Sequence, residues 1–235
     1  MTTTAILVAR MGSSRLPGKS MMPILGKPMV ERLVDRIRPA RAVKKIVLAT
    51  SDQPEDDPLA ALAARIGIGC YRGPAEDVLG RIQGAARSAD AGTVIELLGD
   101  NPLVHFQLID EVAAFHKFGR YDYAASATAE YPQAGEEVRK FPIGVRVQVY
   151  SRQTLDRCAA LAKEPRHREH ATTYIIEHPE LFRIGLFEAK GVWEAINRPE
   201  LTFAVNQAED LQKVTRIFEA CLPRDPNFTL QEALR

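Results

Sequence analysis

Residues 9–20, ARMGSSRLPGKS, have the composition of a phosphate-binding loop. The segment contains three cations, two glycines and three serines, and it directly follows the apolar residues TAILV. Backbone amides beside Gly12 and Gly18 can turn toward an anion. Arg15 can donate two parallel N–H groups to phosphate oxygens, and Lys19 adds a compact positive charge. We therefore expect a phosphate site here rather than a surface loop with scattered cations.

The two best-known phosphate loops do not fit this segment. Five residues lie between Gly12 and Gly18, one more than the Walker A spacing allows. A Walker A loop also continues into a helix, whereas two prolines and a glycine interrupt the ten residues after Lys19. The dinucleotide pattern GxGxxG is absent. The segment therefore predicts a phosphate site of another kind.

Asp100 is the strongest candidate for a metal ligand. It lies in LLGDNP, just after the apolar run that ends at Leu98. A carboxylate at the end of a buried strand suits Mg²⁺, which combines few carboxylates with phosphate oxygens and water. An aspartate that only begins the DNP turn is the alternative. The phosphate-binding loop elsewhere in the sequence favours the magnesium site.

Short apolar runs alternate with longer amphipathic ones, which predicts an α/β fold. The predicted strands are Thr4–Ala9, Lys45–Ala49, Thr93–Leu98, Tyr121–Ser126, Arg146–Tyr150 and Thr202–Val205. The predicted helices are Met29–Arg38, Pro58–Ile66, Glu76–Ser88, Phe106–Phe118, Gln153–Leu161, Arg168–Glu177 and Ala208–Cys221. The first three strands are continuously apolar, as is typical of parallel strands covered on both faces. We expect a Rossmann-like, doubly wound and mostly parallel sheet with right-handed crossovers.

The predicted topology brings the candidate residues together. Ligands of such a sheet bind at the carboxyl ends of its strands. The loop of residues 9–20, TSD after the second strand and GDNP after the third all fall at that edge. We therefore expect the basic loop and Asp100 to share one site.

The composition narrows the possible partners. The length of 235 residues predicts one domain spanning residues 1–235. The net charge of +1 provides no overall attraction for nucleic acid or membranes. No apolar run is long enough to span a bilayer, and AILVA is too short for the core of a signal peptide. Cys70, Cys158 and Cys221 lack zinc or disulfide spacing. These features predict a cytoplasmic protein without a nucleic-acid or membrane partner.

The segment ARMGSSRLPGKSMMPILGKPM resembles the opening of the nucleotidyltransferases that make CMP-activated acids. These are the CMP-Kdo synthetases, the acylneuraminate cytidylyltransferases and, above all, the spore coat polysaccharide F-type cytidylyltransferases. The resemblance continues in order through VLATSD, GCYRGPAEDVLGR, GDNPLV, HREHATTYIIEHPELFRI and AEDL, and it covers nearly the whole chain. It implies an enzyme with the nucleotidyltransferase fold.

The resemblance also implies a reaction and its residues. CMP would pass from CTP to an acidic acceptor, usually a sugar acid, with release of pyrophosphate, for cell-surface polysaccharide biosynthesis. Arg15, Lys19 and Asp100 would be catalytic, and Asp100 would bind the cofactor Mg²⁺. The implied nucleotide-binding residues are Ala9, Arg10, Gly12, Ser13, Ser14, Arg15, Lys19, Arg72, Asp77 and Arg81. Asp77 could instead favour a helix start, with Arg81 as its ion-pair partner one turn later.

The sequence departs from the family pattern at three acidic positions. Asn206 occupies the place of a second metal-binding aspartate, and an amide can ligate Mg²⁺ but brings no charge. In GVRVQ, Arg146 and Gln148 replace an aspartate and a glutamate. Arg146 could clamp a more anionic acceptor, such as a carboxylate or a phosphonate. Alternatively, catalysis has weakened and the protein is a nucleotide-binding regulator.

The remaining predictions concern the acceptor side and assembly. We expect Arg146, Gln148 and His170 to contact the acceptor, although polar packing of a helix end is an equal alternative for His170. The regular pattern lapses from Thr128 to Gly144, and loops of this length are usually functional or disordered. The excursion around residues 128–150 is therefore predicted to serve the acceptor site or the interface of a homodimer.

Overall fold

The computed structural model describes residues 2–131, 135 and 137–234 of the chain. The strands are β1 (Thr2–Val8), β2 (Pro23–Ile24), β3 (Lys27–Pro28), β4 (Lys45–Ser51), β5 (Gly69–Gly73), β6 (Ala91–Leu98), β7 (Tyr123–Ser126), β8 (Gln148–Ser151) and β9 (Ile184–Phe187). The α-helices are α1 (Met29–Ile37), α2 (Asp57–Arg65), α3 (Val78–Ser88), α4 (Phe106–Gly119), α5 (Arg152–Leu161), α6 (Pro165–Glu169), α7 (Thr173–Glu177) and α8 (Ala208–Cys221). Short 3₁₀ turns cover Lys19–Met21, Pro54–Asp56, Gly191–Ile196 and Glu232–Leu234.

Within the described residues, one seven-stranded sheet has the order β5-β4-β1-β6-β8-β7-β9. Strand β8 is antiparallel to both of its neighbours, and the other described pairs of this sheet are parallel. The predicted doubly wound, mostly parallel sheet is thereby confirmed. Strands β2 and β3 form a separate small hairpin directly before α1.

Two apolar cores cover the two faces of the sheet. On β1, Ala5 and Leu7 join the core that includes α1, α2, α4 and α8, whereas Ile6 joins the core that includes α3, α5 and α7. Alternation between two buried faces explains why the central residues of β1, β4 and β6 are mostly apolar. Among the described residues, no helix has the length and hydropathy needed to cross a membrane.

Two predicted elements are wrong. The strand predicted over Thr202–Val205 is only an isolated bridge between Ile143 and Thr202. The helix predicted over Arg168–Glu177 is interrupted, since α6 ends at Glu169 and α7 begins at Thr173. The Thr172 hydroxyl in this gap donates to the side-chain oxygen of Gln148 at 2.8 Å, so a tertiary contact overrides helix continuity.

Strands β5 and β9 were not predicted because each gives a weak signal. Strand β5 reads GCYRG and begins with exposed residues at the edge of the sheet, and β9 has only four residues. Neither has the long apolar run that identifies a buried parallel strand.

The excursion is anchored to the body of the protein at both ends. Residues 132–134 and 136, to which part of its prediction refers, lie outside the described residues. The side chains of Tyr131 and Phe141 are buried, and the Phe141 N–H donates to the carbonyl of Ala127 at 2.7 Å. The described ends of the excursion therefore pack against the sheet.

Candidate active site

A cleft of about 440 Å³ opens at the carboxyl ends of β1 and β6, and it also reaches β8. Of the residues predicted from the sequence, the cleft is lined by Ala9, Arg10, Ser13, Ser14, Arg15, Lys19, Arg81, Asp100, Arg146, Gln148 and His170. Gly12, Arg72, Asp77 and Asn206 do not line it. The basic loop, the candidate metal ligand and the predicted acceptor residues thus share one cavity.

The basic loop is fixed at its start by a buried carboxylate that the sequence did not single out. Asp56 is fully buried, and its Oδ1 accepts the Met11 N–H at 2.6 Å. Its Oδ2 accepts the Thr50 hydroxyl at 2.9 Å and both the backbone N–H and the hydroxyl of Ser51. Burial alone would raise the pKa of Asp56, but the hydrogen bonds outweigh burial and lower it. A charged aspartate therefore holds the loop against β4.

The loop then turns back on itself. The Met11 carbonyl accepts the N–H groups of Ser13 and Gly18 at 2.8 and 2.9 Å. Gly18 has φ +72°, which a glycine adopts without strain. The buried Ser20 hydroxyl donates to the Arg10 carbonyl at 3.1 Å. These contacts bring Arg10 and Lys19, at opposite ends of the segment, to one wall of the cleft.

Lys19 and Asp100 are in direct contact. Lys19 Nζ lies 2.8 Å from Asp100 Oδ2 and 2.7 Å from the Val205 carbonyl. The Val205 N–H in turn donates to the Asp100 carbonyl at 2.9 Å. Asn206 directly follows Val205, and its backbone N–H donates to Asp210 Oδ2 at 3.0 Å. The segment at 205–206 is therefore tied to Asp100, although the Asn206 side chain does not line the cleft.

The exposed part of the loop presents cations that have few protein partners. Arg15 is exposed and lines the cleft, and no hydrogen bond or ion pair joins it to the part of the chain that the structure describes. Arg10 Nη2 lies 3.9 Å from Glu169 Oε1, a long contact between two exposed side chains. Both guanidinium groups are consequently available to an anion.

Arg81 is the most deeply buried cation of the nucleotide-binding set. Its Nη1 donates to the carbonyls of Pro74 and Ala75, and its buried Nε has no hydrogen-bond partner among the described residues. Burial first and the nearby Arg10 second lower the pKa of Arg81. Arg81 thus lines the cleft with donor capacity left over.

Arg72 and Asp77 have structural roles. Arg72 donates to the carbonyls of Ser51 and Gln53 and lies 2.6 Å from Asp57 Oδ1, so it ties down the loop after β4. Asp77 caps α3 by accepting the Gly80 N–H at 2.8 Å. Its other oxygen lies 2.6 Å from Arg168 Nη2. The interpretation of Asp77 as a helix start therefore accounts for its contact with Gly80, but its ion-pair partner is Arg168 and not Arg81.

The other end of the cleft contains a buried polar network. Gln148 Oε1 accepts the Tyr123 hydroxyl at 2.7 Å, the Thr172 hydroxyl at 2.8 Å and Arg146 Nη2 at 2.8 Å. Arg146 Nε donates to the Tyr131 hydroxyl at 2.8 Å, and the Arg146 guanidinium lies over the Tyr131 ring. Three donors around the side-chain oxygen at position 148 would also stabilise a carboxylate there.

Arg146 remains charged in this network. Burial by itself would lower the pKa of Arg146, but the surrounding acidic groups, with Tyr131 first, raise it. Its Nη1 lies 4.0 Å from Glu130 Oε1, which is a long distance for an ion pair. One side of the guanidinium is therefore weakly paired and close to the cleft.

Glu96 is a second carboxylate of the cleft that the sequence prediction missed. It lies on β6 directly opposite Gln148 on β8, and it is 4% exposed. The Tyr150 hydroxyl donates to Glu96 Oε2 at 2.6 Å. Burial raises the pKa of Glu96, against the lowering effect of Tyr150, Arg146 and Gln148. An acidic residue inside the apolar run TVIELL was the signal that could have identified it.

Three comparisons with known proteins support one another. A family model described as Cytidylyltransferase matches residues 4–233. The spore coat polysaccharide biosynthesis protein SpsF of Bacillus subtilis (strain 168) is 31% identical over 234 residues, which cover 97% of this chain and 91% of that protein.

Two solved structures have the same fold. A cytidylyltransferase from Leptospira borgpetersenii serovar Hardjo-bovis superposes with a TM-score of 0.88 at 21% identity, covering 100% of this chain and 92% of that one. A CMP:2-keto-3-deoxy-manno-octonic acid synthetase in complex with CTP superposes with a TM-score of 0.66 at 18% identity, covering 93% and 99%. The described sheet and its helices therefore have the same fold as these two proteins.

Proposed function

We propose, because the chain belongs to the cytidylyltransferase family, that it transfers CMP from CTP to a small acidic acceptor, with release of pyrophosphate. The observation that carries this proposal is the contact between Lys19 Nζ and Asp100 Oδ2 at 2.8 Å inside the cleft. A cation suited to phosphate and a carboxylate suited to a divalent metal meet where the sheet topology predicts a ligand.

The loop provides the charge that this reaction requires. The acceptor oxygen attacks the α-phosphorus in line with the departing pyrophosphate, so negative charge develops on the phosphate oxygens. Arg10, Arg15 and Lys19 lie along one wall of the cleft, where they would bind the triphosphate together with Ser13 and Ser14. Lys19 would exchange Asp100 for a phosphate oxygen when the nucleotide binds.

The residues present fit Mg²⁺ that is held mainly by the nucleotide. Asp100 provides carboxylate oxygens, and Asn206 directly follows Val205, whose backbone N–H donates to the Asp100 carbonyl. Within the described ranges, no group of three or more His, Cys, Asp or Glu side chains forms a metal cage. When bound, Mg²⁺ would neutralise part of the phosphate charge.

The acceptor end of the cleft favours an anionic molecule. Arg146 is half-buried, charged and weakly paired on one side, with Gln148, Thr172 and His170 nearby on the cleft surface. A carboxylate can take two N–H donors from such a group. A sugar acid is the acceptor that we propose, because the similar CMP:2-keto-3-deoxy-manno-octonic acid synthetase is named for one. A phosphonate would satisfy the same cation.

The cellular setting and assembly belong to the same proposal. The relative from Bacillus subtilis is named for spore coat polysaccharide biosynthesis, which supports activation of a sugar for a surface polysaccharide. We place this step in the cytoplasm, and we propose a homodimer to which the excursion around residues 128–150 contributes. Light scattering of the purified protein tests the dimer directly.

Pyrophosphate release tests the reaction. The protein is incubated with CTP, Mg²⁺ and one acceptor at a time: 3-deoxy-manno-octulosonate, N-acetylneuraminate or 2-aminoethylphosphonate. We expect release with CTP and not with ATP, and a loss of about 100-fold or more in kcat for Lys19→Ala. Ser20→Ala, which changes the neighbouring residue, should lose less. Binding of CTP without turnover of any acceptor would favour the nucleotide-binding regulator instead.

A further inference from the structure

Glu96 is a carboxylate in the cleft that phosphate and metal binding leave without a task. It is 4% exposed but lines the cavity together with Asp100 and Arg146. We propose that Glu96 is the general base that removes the proton from the attacking hydroxyl of the acceptor. This inference rests on the proposed function and identifies the class of acceptor more closely.

The position of Glu96 suits this role. Glu96, Leu98 and Asp100 are alternate residues along one stretch of chain, and all three line the cleft. The Cα atoms of Glu96 and Asp100 are separated by at most about 13 Å, since a strand rises about 3.3 Å per residue. That span accommodates a phosphate group beside Asp100 and an acceptor hydroxyl beside Glu96.

Arg146 would set the orientation of the acceptor. Its charge acts on Glu96, and it donates a hydrogen bond to Gln148, which lies opposite Glu96 across the strand pair. An acid group held by Arg146 would leave a hydroxyl on the adjacent carbon near the Glu96 carboxylate. The geometry therefore favours acceptors in which the reacting hydroxyl and the acid group are neighbours, as in the cyclic form of a 2-keto sugar acid.

The proposed step balances in protons and electrons. The acceptor oxygen forms a bond to the α-phosphorus while its proton passes to a Glu96 oxygen. The bond between the α-phosphorus and the bridging oxygen breaks, and pyrophosphate leaves with the electron pair. Glu96 is then a neutral carboxylic acid and returns its proton to water through the cleft.

The surroundings of Glu96 suit a base. Burial is the largest effect and raises its pKa, which strengthens a carboxylate as a proton acceptor near neutral pH. The charged and titratable groups that act on it are Arg146, Tyr150 from β8, Tyr123 from β7 and Cys158 from α5. Arg81 of α3 lines the same cleft. The Tyr150 hydroxyl also occupies one carboxylate oxygen and so fixes its orientation.

A purely structural role for Glu96, as a counter-charge for Arg146, makes a different prediction. In that case the pH dependence of turnover would not follow the ionisation of Glu96. Glu130 provides the matched control, because it is another carboxylate that faces Arg146, at 4.0 Å, and it does not line the cleft. Glu130→Gln removes charge near Arg146 without removing a base.

The test measures pyrophosphate release across pH with CTP, Mg²⁺ and each of the two sugar acids above, whose attacking group is a hydroxyl, together with CTP affinity by calorimetry. Turnover of 2-aminoethylphosphonate alone, which attacks without a hydroxyl proton, overturns the role of Glu96. We expect Glu96→Gln to lower kcat by about 100-fold or more with CTP affinity unchanged, and to abolish the acid limb of the profile. Glu130→Gln should retain both the kcat of the wild type and the acid limb of its pH profile. In Tyr150→Phe the acid limb of the pH profile should move to higher pH. The Tyr150 hydrogen bond lowers the pKa of Glu96, so its loss raises that pKa.

Each outcome bears on the proposal. A Glu96→Gln enzyme that retains wild-type kcat, or an acid limb that persists in it unchanged, overturns the role of Glu96 while leaving the transferase intact. If Glu96→Gln does not fold, a stationary limb in Tyr150→Phe overturns it equally. A wild-type protein that releases no pyrophosphate with any of the three acceptors refutes the proposed function, and the general base with it.

Discussion

Replacement of Asp56 by asparagine tests whether one buried carboxylate holds the phosphate loop in place. Asp56 accepts hydrogen bonds from the Met11 N–H, the Ser51 N–H and the hydroxyls of Thr50 and Ser51. An asparagine has one oxygen, so its NH₂ group must face either the Met11 N–H or the donors around Oδ2. At least one buried donor then loses its acceptor.

The cost follows from these contacts. An unsatisfied buried donor costs about 1–3 kcal/mol, and hydrogen bonds to a charged acceptor are worth more than neutral ones. We therefore expect Asp56→Asn to lower the free energy of unfolding by about 3 kcal/mol. If the bond from Met11 is the one lost, CTP binding must also order the loop. Each 1.4 kcal/mol of free energy spent on that ordering weakens CTP binding by about tenfold.

The pH dependence has a definite sign. The pKa of Asp56 is lower in the folded protein than its ordinary value, so its contribution to stability is complete above that ordinary value. The contribution disappears as the pH falls through the folded pKa. The difference in unfolding free energy between wild type and Asp56→Asn should consequently be constant above about pH 5 and shrink at more acid pH.

Urea denaturation followed by circular dichroism, at several pH values, measures this difference. Asp57→Asn is the matched control, because Asp57 is the next residue, is 64% exposed and makes an ion pair with Arg72. A surface pair of this kind contributes at most about 1 kcal/mol. Equal destabilisation by the two variants, or a gap for Asp56→Asn that does not shrink in acid, would refute the reasoning.

Three other substitutions test the packing of the excursion at Gly144, the metal site and the acceptor end of the cleft. Gly144→Ala places a Cβ about 2.1 Å from the Ala204 nitrogen at φ +94°, so thermal unfolding should show the free energy of unfolding lowered by more than about 3 kcal/mol. In Gly135→Ala the added Cβ meets no atom of the described residues within 4 Å, and this variant should match wild type. Asn206→Asp adds a carboxylate to the segment whose backbone is tied to Asp100. If residue 206 reaches the metal in the nucleotide complex, calorimetry with CTP should find Mg²⁺ bound about tenfold more tightly; unchanged affinity would separate residue 206 from the metal. Arg146→Lys removes the two parallel N–H donors of the guanidinium, so the KM for the acceptor should rise at least about tenfold while the KM for CTP stays constant. A rise in both KM values would contradict the assignment of Arg146 to the acceptor.

The part of the fold that was predictable depends on strands buried on both faces. Strands β1, β4 and β6 each contain a central apolar run, and their parallel order places the loops after them at one edge. For that reason Lys19 and Asp100, which are 81 residues apart in the chain, could be expected in one site from sequence alone. Strands β5 and β9 are short or exposed, so only long-range pairing defines them.

The unpredicted part of the site consists of side chains whose role depends on their neighbours. The segment PEDD offers three adjacent acids, and nothing local indicates that Asp56 is buried while Asp57 is exposed. Arg72 was assigned to the nucleotide by resemblance, but its guanidinium binds the loop after β4. The motif therefore predicts the segment, whereas tertiary contacts decide which of its side chains line the cleft.

The charge of the cleft connects the two substrates. Among the described residues, five cations and three carboxylates line it, although the whole chain carries a net charge of only +1. CTP and an acidic acceptor repel each other, so a site that joins them needs local positive charge at both ends. The loop supplies it at one end and Arg146 at the other, and each of the three departures from the family pattern, at 146, 148 and 206, makes the region less acidic. In this setting Glu96, the base that we propose, is one of three carboxylates that line the cleft, and an additional anion elsewhere would repel both substrates.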